Sequence, residues 1–128
     1  MAWTIRYFID DDGSLPAEEF EGCVANERLL VKLLAFIEQV ALNEGRIGGG
    51  IFEKCHGGYS DLYEVRAKRG KELARSLCTR DGNNLILLWG VSKLIDQPTP
   101  TADLDRAQAL LDRYRKTKRV DPSFEEKE

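Results

Sequence analysis

Between Asp61 and Lys93 the chain keeps a period of two, and two glycine-centred turns cut that stretch into three segments. In the first, Tyr63, Val65 and Ala67 fall on one face and Leu62, Glu64, Arg66 and Lys68 on the other. Arg69-Gly70-Lys71 then reads as a tight hairpin turn, Glu72 to Arg80 as the return strand, and Asp81-Gly82-Asn83 as a second turn. Asn84 to Val91 (NLILLWGV) is a nearly continuous apolar run, as expected of a central strand covered on both faces. Strands joined by turns this short pair antiparallel. Two consecutive hairpins exclude an all-helical bundle and make a meandering sheet the centre of the fold.

The remaining segments are arranged around that centre. Trp3 to Ile9 is rich in β-branched and aromatic residues and reads as a strand, ended by Asp10-Asp11-Asp12-Gly13. The spacing of those carboxylates does not match a calcium-binding loop, so an acidic turn is expected. Ser14 and Pro16 open a short helix running to about Cys23. Asn26 caps a longer helix in which Leu30, Leu33, Leu34, Ile37 and Val40 form an apolar stripe, closed by Asn43-Glu44-Gly45. The two helices should pack as a hairpin. Gly48-Gly49-Gly50 lacks the Lys-Ser/Thr ending of a phosphate-binding loop. Ile51 to Cys55 is a further candidate strand. Thr99-Pro100 reads as an N-cap and first residue of a last helix, with Leu104, Ala107, Leu111 and Tyr114 on one face and a basic C-terminal end. The expected fold is α+β: an antiparallel meandering sheet of four to five strands, with an N-terminal helical hairpin and a C-terminal helix packed on one face. Residues 1–120 form one domain, and 121–128 a polar, frayed tail.

Composition narrows the functional classes. A chain of 128 residues supports one core. No apolar run approaches the roughly 20 residues needed to span a bilayer, and the N-terminus has no basic, apolar leader pattern, so a cytoplasmic protein with no membrane partner is expected. Three cysteines, Cys23, Cys55 and Cys78, are odd in number and without a CxxC pair, which argues against a disulfide framework or a cysteine-rich zinc site. One histidine, His56, excludes a multi-histidine metal centre, and no cofactor motif is present. Cys55 and His56 are adjacent on a candidate strand and should face opposite ways, which disfavours a thiol–imidazole pair. The net charge of −3 conceals a division. Residues 1–64 carry 5 Lys and Arg against 12 Asp and Glu, whereas residues 65–120 carry 13 against 6. Such asymmetry suits a surface facing a polyanion, or simply a solvated basic strand and helix.

Within the basic block, Lys68, Arg69 and Lys71 surround Gly70 at the hairpin turn. Three cations beside a glycine are well suited to a phosphate. Arg66 and Arg75 are equally placed about that turn and should be cross-strand neighbours. Like charges placed opposite each other cost energy unless an anion lies between them. Either a phosphate or the nearby Glu64 could be that anion.

The ordered set Phe52-Glu53-Lys54, Asp61-Leu62-Tyr63-Glu64-Val65-Arg66, Arg75, Asn84 to Lys93, Gln97-Pro98-Thr99-Pro100, Ala107 and Tyr114 resembles the RelE/HigB superfamily of bacterial type II toxins, in its phage-derived HigB-like branch. The resemblance covers roughly residues 28–116. It departs from the pattern at Leu94, where a second lysine is usual, and at Val91, where phenylalanine is usual; Trp89 and Gly90 precede it. It implies a RelE-like fold and a ribosome-dependent mRNA endonuclease, neutralised by a helix-turn-helix antitoxin. Such enzymes need no metal or cofactor: the RNA 2′-hydroxyl attacks the phosphate and leaves a cyclic end. Carried onto this chain, the resemblance assigns Arg66, Arg75 and Lys93 to the scissile phosphate and its transition-state charge. Lys54 and His56 fall in a loop that is basic in relatives. Imidazole is the side-chain type suited to proton transfer near neutral pH, so His56 completes the expected catalytic set, a role-free loop histidine being the alternative. Lys54, Lys68, Arg69, Lys71 and Tyr114 are the expected RNA-binding residues. A non-catalytic relative that binds protein or RNA, and a gyrase-inhibiting member of the same superfamily, are the rival readings; the oligomeric state is open.

Overall fold

The structure, a computed structural model, describes residues 2–95 and 97–126. In chain order the elements are β1 (Thr4–Phe8), α1 (Pro16–Gly22), α2 (Glu27–Leu42), β2 (Phe52–Lys54), β3 (Tyr63–Arg69), β4 (Glu72–Asp81), β5 (Asn84–Leu94), α3 (Thr101–Thr117) and β6 (Val120–Asp121), followed by a 3-10 turn at Ser123–Glu126. The α+β class and both hairpins are as expected: β3 pairs β4 and β4 pairs β5, all antiparallel.

The sheet differs from the expected meander in three respects. Among the described residues it has six strands, in the order β2-β3-β4-β5-β1-β6. β1 lies parallel to β5, with Thr4 opposite Asn84 and Tyr7 opposite Leu87. Short turns dictate the pairing only of the strands they join, and two helices separate β1 from β2. Tyr7 and Phe8 are both fully buried, on opposite faces of β1, so this strand belongs in the interior of the sheet. Thirdly, the helices cover both faces. α1 and α2 pack on Ile5, Tyr7, Val65, Ala67, Leu85 and Leu87. Leu104, Ala107, Leu110, Leu111 and Tyr114 of α3 pack on Phe8, Leu77, Ile86 and Leu88 from the other side. The two-sided apolar run in β5 requires both layers. The tail is also tied back: β6 pairs Tyr7 and Phe8, and Phe124 is buried beside Tyr7.

A bulge in β5 sets which of its side chains share a face with the two arginines. Leu77 lies opposite Trp89 but Cys78 lies opposite Leu87, leaving Leu88 as an extra residue. The extra residue reverses the phase of the strand. Gly90 therefore faces α1, where a Cβ would lie only 2.1 Å from the Phe20 ring. Val91 and Lys93 turn to the α3 face, the face that carries Arg66 and Arg75.

Candidate functional site

Arg66 on β3 lies directly opposite Arg75 on β4, and Arg75 lies opposite Val91 on β5. One rung outward, Lys68 faces Leu73, which faces Lys93. The expected arginine pair is thus formed. Lys93 shares their face but stands one rung, roughly 7 Å, farther toward the hairpin turn.

Glu64 lies between the two guanidinium groups. Its Oε1 accepts from Arg66 Nε at 2.7 Å, lies 2.7 Å from Arg66 Nη2, and is 3.9 Å from Arg75 Nε. Its Oε2 accepts from Thr99 Oγ1 at 2.8 Å. Glu64 and Arg75 are only 3% and 5% exposed, whereas the Arg66 side chain is 32% exposed and also reaches Glu53 at 3.5 Å. Arg75 Nη2 donates to the Gln97 carbonyl at 2.5 Å, while its Nε and Nη1 are buried without a hydrogen-bond acceptor among the described residues. Burial lowers the Arg75 pKa, Glu64 opposes that shift and Arg66 adds to it. The anion between the arginines is therefore internal. Thr99 serves this network instead of capping α3, whose N-cap is Pro100. The segment before α3 is strapped over the buried arginine.

Toward the turn the chemistry changes. Lys68, Arg69, Lys71 and Lys93 are exposed, and none makes an ion pair among the described residues. Glu72, opposite Arg69, makes none either. Lys32 joins them from α2: its Nζ donates to the Lys68 carbonyl at 2.7 Å and lies 5.6 Å from the Phe36 ring centre. Sequence periodicity does not reveal this lysine, because only the packing of α2 on β3 brings it there. A groove of about 460 Å³ opens here, lined by Lys32, Phe36, Ile51, Arg66, Lys68, Leu73 and Ile95, with Gly49 and Gly50.

The other expected site residues lie elsewhere. Lys54 is exposed on edge strand β2 opposite Tyr63, toward the far end of β3 from the hairpin turn. His56 is exposed in the following loop, beyond the bond from Cys55 N to Leu62 O. Its neighbour Cys55 places Sγ 4.0 Å from Glu64 Oε2, but no contact joins His56 itself to Arg66, Arg75 or Glu64 among the described residues. Cys55 is buried near Glu64, and burial pushes its thiol up to about 12. Tyr114 is 5% exposed and packs edge-on against Phe8, and its hydroxyl donates to Asp81 at 2.8 Å. It is a core residue at the opposite end of β4 from the turn, so the structure does not place it with the basic cluster. Among the described residues no group of three or more His, Cys, Asp or Glu side chains is placed to hold a metal ion, and no helix is long and apolar enough to cross a membrane. No protein-family model matches the chain, and no curated protein matches its sequence.

Proposed function

We propose that the chain is the toxin of a type II toxin–antitoxin module, a cytoplasmic protein that cuts mRNA on the ribosome and is restrained by a helix-turn-helix antitoxin. The observation that carries this reading is the basic end of the sheet. Lys68, Arg69, Lys71 and Lys93 are exposed without ion-pair partners among the described residues, beside the half-exposed Arg66. Unpaired cations on one surface are what a phosphate backbone requires. In the reaction the 2′-hydroxyl forms a bond to phosphorus, the bond from phosphorus to the 5′ oxygen breaks, and the proton passes from nucleophile to leaving group. Arg66 and Lys93 offset the charge gathering on the phosphate oxygens, and Arg75 with Glu64 holds Arg66 in place.

Glu64 already occupies the place between Arg66 and Arg75 that a scissile phosphate would take, which favours a second reading, a relative that binds RNA through the same end without cutting it. Induced expression in a bacterium lacking the antitoxin separates the two. The proposal expects growth arrest, ribosome-associated mRNA cuts bearing cyclic phosphate ends, and relief by Arg66→Ala. RNA binding without arrest or cuts would favour the second reading. Arrest with intact mRNA and broken DNA would indicate gyrase, and neither binding nor arrest would overturn both RNA readings.

A further inference from the structure

Resting on the RNA-binding reading, we infer that Lys32 and Phe36 of α2, with Lys68 and Ile95, form a nucleotide subsite beside Arg66, holding one base of single-stranded RNA and its phosphate. The groove is in the size range of small-ligand pockets. Its wall is divided chemically: Phe36, Ile51 and Ile95 supply apolar surface, and Lys32 and Lys68 supply charge. Lys32 is held by the Lys68 carbonyl, which uses one ammonium proton and leaves two for an anion. Of the acids beside the groove, Glu53 and Glu64 are both engaged by Arg66, at 3.5 and 2.7 Å. The loop side is formed by Gly49 and Gly50, both at positive φ; a Cβ on Gly49 would meet nothing within 4 Å, whereas one on Gly50 would meet Glu53 Oε1 at 3.3 Å. The groove is therefore open at Gly49. Ile95 is 40% exposed although it lines the groove, so apolar surface is available to a base. A planar apolar face joined to a phosphate matches this division, and backbone charge with base contact is how single strands are generally held.

The test is fluorescence anisotropy of a labelled single-stranded RNA with the purified full chain and its Lys32→Glu, Lys32→Gln, Phe36→Leu and Arg66→Ala variants. Lys32→Glu should weaken binding about tenfold or more, and Lys32→Gln should reduce the salt dependence by about one phosphate contact. Phe36→Leu keeps the groove filled, and it should weaken binding to the normal RNA but not to an oligomer abasic at every position. Tight binding by the parent chain that Lys32→Glu and Phe36→Leu leave unchanged, while Arg66→Ala weakens it, would overturn the subsite and leave the RNA reading standing. Equal affinity of the parent chain for normal and abasic oligomers would overturn the base pocket. Failure of the parent chain to bind RNA, or preference for polyglutamate of equal charge, would overturn both.

Discussion

At the β4–β5 end of the sheet, Lys118 reaches Asp81 at 2.7 Å, Arg115 reaches Asp61 at 2.7 Å, and Arg113 reaches Asp10 at 2.9 Å. At the other end of β4, roughly 30 Å away, Lys68, Arg69 and Lys71 make no such contact among the described residues. Both groups belong to the same basic stretch of sequence, and both are solvent-facing. The first has its positive charge matched by the acidic N-terminal half and by the β4–β5 turn, so it fastens α3 and the β1 turn to the sheet. The second is left unmatched. Basic composition therefore divides into a structural part and a part available to a partner, and only the ion-pair partners tell them apart. Arg66 and Arg75 stand between these two cases: they share one internal carboxylate, and one of them remains half open to solvent.

The largest expected effect comes from reversing the unmatched end. Lys68→Glu, Lys71→Glu and Lys93→Glu together should lower RNA affinity by roughly a thousandfold at moderate salt, with unfolding midpoints nearly unchanged. An equal loss from Arg113→Glu, Arg115→Glu and Lys118→Glu would show that paired and unpaired cations hold RNA alike. Next, Glu64→Ala leaves buried Arg75 without its carboxylate and should cost about 3–5 kcal/mol in urea unfolding, with Glu64→Gln costing less. A stable Glu64→Ala protein would show that the arginines find another anion. Thr99→Val removes a buried hydroxyl donor to Glu64 and should cost about 1–2 kcal/mol, read by the same melts.

Two smaller effects depend on pH. The hydrogen bonds from Lys118 and Tyr114 hold the Asp81 carboxylate below its ordinary range. The stability this contributes is present above the unfolded carboxylate pKa and is lost as pH falls through the depressed one. Because Asp81 is solvent-facing, Asp81→Asn should cost only about 0.5 kcal/mol near neutrality and flatten the acid limb. Cys55 behaves in the opposite sense: its thiol is favoured in the folded state, so that contribution is complete at neutral pH and declines between about 9 and 12. Iodoacetamide at mildly alkaline pH should label exposed Cys23 well before Cys55 or Cys78.

Much of the fold was legible in local pattern. The glycine turns set the β3–β4–β5 pairings, and Asn26 caps α2 by accepting from Arg28 N and Leu29 N, as its position suggested. The opposition of Arg66 and Arg75 follows from counting inward from Gly70. Less was legible wherever distant segments meet. Ser14 does not cap α1, whose N-cap is Leu15. Gly90, a departure from the toxin pattern, is explained by the Phe20 ring lying against it. The phase reversal at Leu88 that turns Lys93 toward the arginines leaves no mark in an unbroken apolar run.

Alternation and turn chemistry act between near neighbours, so the two hairpins, the α+β class, the basic block and the register that sets two arginines face to face are written locally in the residues. Long-range packing sets β1 parallel beside β5, covers both faces with helices, closes Glu64 and Thr99 over Arg75, and brings Lys32 to the hairpin turn while the α3 cations find acids. Those outcomes depend on which remote surfaces are buried together and which charges are brought within reach, and neither is encoded in the spacing of residues along one segment.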